Sequence, residues 1–336
     1  MPNEHIKVDY NCLRHGAGIF VHSGAGVYRV EGAELFDFFH RVSTNSFRDV
    51  KLWQSVTTLF LNNKGRIIDR AAALNIPGNI LVVGSRDEER RLIHWIKRYI
   101  ITEDISVEDK SDDYTLIEIA GEYAASFVPL LPLQDDPENM IDRVFPLTET
   151  FPGSWFYTVK TSNGRTRFFI LSRNEIAGLI IAHLVNAGEI YGTKIISEEA
   201  YRVYRLEEGI PEFPDEINDD VNPHEAGFMH DVSATKGCYI GQEVIARLET
   251  YGKVQRVLSG IIFENGVSQN SEFTLQTGDG EESGYFTNIV RSELLGANIG
   301  LAYVKKKYIG TDNEIFAFDE KGNKHNIKIT GLPVRL

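Results

Sequence analysis

SVTTLFLNNKGRIIDRAAALNIPGNILVVGS, residues 55–85, contains three apolar runs separated by two turn tetrapeptides, NNKG and NIPG. Short runs rich in Val, Ile, Leu and Phe, punctuated by Asn and Gly, read as strands, and turns this tight join antiparallel neighbours. The stretch therefore predicts an antiparallel meander. Upstream, GVYRVEG reads as a strand and AELFDFFHRV as a helix with Leu35, Phe36, Phe39 and Val42 on one face. Downstream, RDEERRLIHWIKRYI places Leu92, Ile93, Ile96 and Ile100 on the inner face of a helix, and YTLIEIAG returns as a strand. Helices against one face of such a sheet make an α+β unit.

A similar order recurs without sequence repetition. WFYTVK, the turn TSNG, and RTRFFIL precede NEIAGLIIAHLVNAG, a helix ended by its glycine. SEEAYRVYRLEEGIP then predicts a helix with Ser197 as N-cap, glutamates in the first turn, and Gly209 and Pro211 as stop signals. From Gly252 the pattern changes to short strands (VLSGIIF, EFTLQT, ESGYFTNI, NIGLAYV, EIFAFDE, HNIKITGLPV) between Gly, Asn and Asp turns, which predicts a small barrel or sandwich. The chain of 336 residues is long enough for several cores. It divides into an α+β region over 1–250, two interleaved units splitting near 120–140, and a β-barrel over 251–336.

With 42% apolar and 25% charged residues the composition is globular. A formal net charge of −13 opposes direct attraction to nucleic acid phosphates. The amino terminus lacks the apolar core of a signal peptide and no segment has the length to cross a bilayer, so a cytoplasmic protein without membrane contact is expected. Only Cys12 and Cys238 are present, no CxxC occurs, and reduced thiols are expected. Acidity gathers in EEGIPEFPDEINDD, 207–220, which reads as a solvated loop.

Two places break local rules. In ATKGCYIGQEVIARL, 234–248, a helix starting near Tyr239 puts Cys238 at its amino terminus. Unpaired amides, the helix dipole and Lys236 there favour the thiolate, while Gly237 and Gly241 leave room for a ligand; the alternative is a small buried hydrophobe. Glu207 and Glu208 lie at the carboxyl end of their helix, where the dipole disfavours anions, so they mark either a ligand contact or a pair with Arg202 or Arg205. GAGVYR fails the dinucleotide-binding glycine pattern, no Walker A sequence occurs, and His224, His230 and Cys238 match no usual metal spacing, so no metal is expected.

KGCYIGQEVIAR resembles the YgfZ family, the folate-binding relatives of the glycine-cleavage T-protein (aminomethyltransferase) linked to iron-sulfur protein maintenance. ELFDFFHRVSTNSF, LFLNNKGRIIDRAAAL, YRLEEGIP and NIGLAYV look like further elements of the same family, so the resemblance covers most of the chain. It implies a ring-like α+β assembly of two ferredoxin-like units plus a small carboxyl-terminal β-barrel around a folate channel. It further implies Glu207 at the pterin, and Lys236, Tyr239, Gln242, Arg247 and Asn45 about a tetrahydrofolate or one-carbon-substituted folate. Cys238 and Asp69 are the catalytic candidates. Two departures weigh against aminomethyl transfer: Arg70 follows Asp69 where the T-protein has adjacent acids, and Ser46 ends TNS where Thr-Asn-Asp is usual. The sequence-level reading is a folate-binding protein that supports iron-sulfur cluster assembly or repair through Cys238, with iron-sulfur client or assembly proteins as partners. A tetrahydrofolate-dependent aminomethyltransferase and a non-catalytic docking protein are the alternatives.

Overall fold

A computed structural model of the chain describes residues 4–134, 137, 139–268, 271–310 and 314–336. Residues 135, 136 and 138, inside the interval named above for the unit boundary, lie outside that description. In chain order the first elements are α1 (Glu4–His15), β1 (Gly18–His22), β2 (Ala25–Glu31), α2 (Leu35–Val42), β3 (Ser55–Leu61), β4 (Ile67–Ile76), β5 (Asn79–Arg86), α3 (Arg91–Tyr99), β6 (Ser106–Asp109) and β7 (Tyr114–Ala120). The short α4 (Ala124–Phe127), β8 (Val144–Pro146), β9 (Ser154–Lys160), β10 (Thr166–Arg173), α5 (Asn174–Ala187), α6 (Glu198–Glu207), the one-turn α7 (Pro223–Ala226) and α8 (Gln242–Tyr251) follow. The last six strands are β11 (Arg256–Phe263), β12 (Phe273–Thr277), β13 (Glu282–Ser292), β14 (Ala297–Lys305), β15 (Ile315–Asp319) and β16 (Lys324–Thr330).

The meander forms as its turns require. β3 pairs antiparallel with β4 and β4 with β5, within a sheet of order β3-β4-β5-β2-β6. α2 and α3 cover its outer face through Phe38, Phe39, Leu92 and Ile96 against Phe60, Ala71 and Val82. On α2 the buried residues are Leu35, Phe38, Phe39, His40 and Val42, so Phe38 rather than Phe36 fills the core. The second sheet has order β1-β7-β10-β9-β8 and carries α4 and α5 on its outer face, through Phe127, Ile180 and Leu184 against Ile117, Phe156 and Ile170.

YTLIEIAG, expected to close the first unit, instead lies between β1 and β10 in the second sheet. Local patterning fixes a strand but not its partner, and β7 buries two faces, which only a central position supplies. The two sheets meet through their inner faces: Val27, Ala72, Leu74 and Val83 from one pack with Leu116, Tyr157, Phe169 and Leu171 from the other. This is an α+β fold of two interleaved units, completed by a closed six-stranded barrel of order β11-β14-β13-β12-β15-β16. The barrel docks onto the rest through Leu258, Ile262 and Tyr303, which share a core with Leu59 and Ile67 of the meander and Leu206 of α6.

Candidate functional site

Where the two sheets, α6, the loop after it and β13 of the barrel come together, they enclose a cavity of about 830 Å³. Its walls combine aromatic surface, including Phe20, Tyr157, Phe169, Tyr201 and Phe213, with charge of both signs. Phe20 and Tyr201 stack with ring centres 3.8 Å apart. Arg70, Arg86, Arg167 and Arg202 supply cations, and Asp87, Glu198, Glu212 and Asp215 supply carboxylates. Aromatic faces with a few convergent polar groups are what a planar, polar-edged ligand requires.

The acidic stretch after α6 forms one side of this cavity, so 207–220 is not the solvated loop expected from its charge. Glu208 and Glu216 are buried, and Glu212, Phe213, Pro214, Asp215 and Ile217 line the cavity. Arg205, itself buried, donates to Glu216 at 2.9 Å, and Asn288 on β13 donates to Glu216 at 3.1 Å and to Asp215 at 2.5 Å. Arg205, just before the stretch, and Asn288, far along the chain, satisfy what looks locally like an excess of negative charge.

Glu207 is fully buried and outside the cavity lining. Tyr10 donates to its two oxygens at 2.7 and 2.8 Å, Ser292 donates at 2.5 Å, and Arg14 pairs with it. Glu208 is held by Arg14 at 2.6 Å, by Arg335 at 3.0 Å and by Arg165. The cations that offset the helix dipole therefore come from α1, β9–β10 and the carboxyl terminus; Arg202 instead donates to Asn288 and Arg205 to Glu216. With its oxygens so occupied, Glu207 is not part of the cavity lining, whereas Glu212, five residues on, is.

The KGC segment also differs from the expected geometry. α8 begins at Gln242, with Gly241 as N-cap at φ 83°, so Cys238 precedes the helix by four residues and lies outside its first turn. A left-handed backbone at Gly241 suits glycine, and a Cβ there would meet the Asn62 carbonyl at 2.7 Å. Cys238 is free and exposed, whereas Cys12 is buried. Lys236 is buried, and its ammonium donates to the carbonyls of His40, Ser43 (2.5 Å) and Asn45 (2.9 Å) at the end of α2. Burial pulls its pKa down to about 8. It is a cap on α2, not a cation free for a ligand tail or for the thiolate.

Tyr239 packs in the core shared by barrel and meander, and burial pushes its hydroxyl up to about 12. Asn45 is tied locally, its amide donating to the Thr57 carbonyl at 3.0 Å and its oxygen accepting from Ser46 N at 2.8 Å. Thr57 lines the cavity, which puts Asn45 one residue behind the wall. Gln242 is half-buried and Arg247 exposed on α8, and neither lines the cavity.

Asp69 on β4 is buried at 4% exposure, and it accepts from the backbone amides of Arg70 at 2.7 Å and Ser85 at 3.1 Å. Burial outweighs these bonds and raises its pKa to about 6. Arg70 reaches the cavity beside it, donating to Asp231 at 2.7 Å with its guanidinium over Phe228.

Sequence reasoning passed over Glu118, Arg167 and His22. Glu118 is 2% exposed and is gripped by Arg167 at 2.9 and 2.7 Å. Burial alone would raise its pKa, but the Arg167 charge and the His22 contact hold it well below the usual carboxylate range. The available signal was a lone acid inside the apolar run TLIEIA, since a charge buried there must have a partner. Among the described residues no group of three or more His, Cys, Asp and Glu side chains is placed to hold a metal, and no helix is long and apolar enough to cross a membrane.

Two interleaved α+β units and a closed barrel around a polar, aromatic-walled cavity define a T-protein-like fold. The crystal structure of glycine cleavage system aminomethyltransferase T from Bartonella henselae matches it with a TM-score of 0.82 at 17% identity, covering 98% of this chain and 89% of that one. The GCVT N-terminal domain family matches residues 2–236, and the chain belongs to that family. Curated relatives named aminomethyltransferase include those of Thermoanaerobacter pseudethanolicus, 25% identical over 93% of this chain and 84% of theirs, and Pelodictyon phaeoclathratiforme, 26% identical over 98% and 90%.

Proposed function

We propose that the chain binds a reduced folate, tetrahydrofolate or a one-carbon-substituted form, in this cavity, and supports iron-sulfur proteins through a thiol-dependent step at Cys238. The observation that carries the reading is the wall at Asp69 and Arg70. Where the T-protein resemblance asks for a second carboxylate, a guanidinium paired to Asp231 faces the cavity, and the remaining acid is enclosed by backbone amides. A carboxylate that assists aminomethyl transfer has to reach the reacting nitrogen. This arrangement supports binding more than transfer.

The cavity fits the ligand class. A pterin edge asks for a carboxylate, which Glu212 offers at the wall, and its ring asks for faces such as Phe20 and Phe213. The glutamate tail asks for cations, for which Arg86 and Arg202 are placed. Cys238 is outside this lining and exposed, so its thiol is offered to a partner protein, in keeping with the likeness of KGCYIGQE to the YgfZ family.

Titration calorimetry with a reduced folate tests the binding half. Glu212→Gln should weaken affinity roughly ten-fold to a hundred-fold, the cost of one charge-assisted hydrogen bond. Unchanged affinity removes Glu212 from the site, and no heat with the wild type overturns folate binding. The thiol half is tested by Cys238→Ser in cells lacking the native protein, where iron-sulfur enzyme activity should fall while folate affinity in vitro stays; full activity overturns it. The second reading, aminomethyl transfer, is favoured by the names of the relatives. Folate-dependent ammonia release from an aminomethylated carrier at the rate of an authentic T-protein would put it first.

A further inference from the structure

Four side chains cluster at the cavity wall around Arg167. His22 ends β1, Glu118 is on β7, Tyr201 on α6, and Glu212 follows α6. His22 Nε2 lies 2.8 Å from Glu118 Oε2, and the Tyr201 hydroxyl donates to the same oxygen at 2.7 Å and lies 3.1 Å from Glu212 Oε1. Arg167 on β10 holds both Glu118 oxygens and lies 3.4 Å from Glu212. His22, Glu212, Tyr201 and Arg167 line the cavity, while Glu118 lies behind them.

The proton positions follow from chemistry. Facing Arg167, Glu118 is an ionised carboxylate and only accepts, so the proton shared with His22 sits on Nε2. Nδ1 then carries the lone pair, and it takes no hydrogen bond among the described residues. A histidine whose tautomer is fixed by a buried carboxylate, with the other nitrogen free beside a cavity, is arranged for proton exchange. Glu118 from β7, Arg167 from β10 and Tyr201 from α6 are the titratable and charged groups facing it, and Phe20 and Phe169 pack against its ring.

We propose that His22 is an acid–base residue of this cavity, for a ligand that carries an ionisable N–H group. The ligand's N–H bond breaks with its electron pair left on that nitrogen, the Nδ1–H bond forms, and the imidazolium is held by Glu118 until the proton returns. Asp69 cannot take this part from behind the wall. Glu212 and Asp215 match the ligand's cationic form before it gives up the proton.

The first test needs no ligand. Two-bond imidazole ¹H–¹⁵N spectra of the folded protein, with His22→Gln for assignment, should show the Nε2–H tautomer in the neutral ring; the Nδ1–H tautomer overturns the proposal. The second test rests on the folate reading. Calorimetry with a reduced folate in two buffers of different ionisation enthalpy should show proton exchange on binding, reduced in His22→Gln by about half a proton or more. An unchanged proton count sinks the proposal. If the wild type binds no reduced folate, the folate reading falls, and the tautomer decides His22 alone.

Discussion

The loop after α6 and the loop before α8 share a plan: a buried charge fixes the segment, and a few residues on another reactive group is presented. In the first, Glu207 and Glu208 anchor and Glu212 faces the cavity; in the second, Lys236 anchors and Cys238 faces solvent. They differ in what balances the buried charge. Glu207 and Glu208 meet full positive charges on Arg14, Arg165 and Arg335, whereas Lys236 meets carbonyl dipoles at the end of α2 and the ring face of Tyr239. Removing one member of an ion pair leaves an uncompensated charge in the interior, while removing an ion from dipoles leaves only unsatisfied polar groups. The first loop should tolerate loss of its anchor less well.

Glu207→Ala therefore carries the largest expected effect. It takes from Arg14, which is nearly buried, one of its two carboxylates, unpairs the buried Tyr10 and Ser292 hydroxyls, and should cost about 3–5 kcal/mol in urea unfolding. A loss below about 1 kcal/mol would break the comparison, because it would mean that Arg14 finds water without penalty. Lys236→Met, which keeps the apolar stem, should cost about 2–3 kcal/mol by orphaning three carbonyls. A loss equal to that of Glu207→Ala would show that dipoles and ions hold these loops equally.

Asp69 gives an effect whose sign pH can read, since its burial outweighs the bonds it accepts from Arg70 and Ser85. Its folded pKa of about 6 stands above the ordinary 3.8, so the folded state binds the extra proton between those values. Its contribution to stability should be fully present below about pH 4, fall as pH rises to about 6, and stay lost above, by roughly 3 kcal/mol in all. Asp69→Asn should flatten that slope in unfolding measurements taken across pH 4–6; an unchanged slope would show that another group sets it.

Much of the fold was legible because its signals are local. Turns containing Asn and Gly between short apolar runs announce β3 to β5 and the barrel strands, apolar stripes announce α2 and α3, and a closing glycine marks the end of α5, whatever lies far away in the chain. The sheet that β7 joins was not legible, because pairing with β1 and β10 depends on residues about fifty to a hundred positions away. The start of α8 moved from Tyr239 to Gln242 because Tyr239 is drawn into the core under the barrel, a demand stronger than its helical propensity. The site divides in the same way. Cys238 could be marked as unusual from its neighbours, but its exposure and the diversion of Lys236 to α2 follow from carbonyls at 40, 43 and 45.

The sequence alone thus determined the kinds of elements, their order and the family likeness, since these are written in periodicity, turn chemistry and contiguous motifs. Tertiary structure decided which charges are anchors and which face the cavity. Glu207 and Glu212 are both glutamates in one acidic run, and nothing within that run separates them. Tyr10, Arg14 and Ser292 close around the first, from opposite ends of the chain, and leave the second at the wall. A buried charge is stable only where partners converge on it, and that convergence is a property of the folded chain.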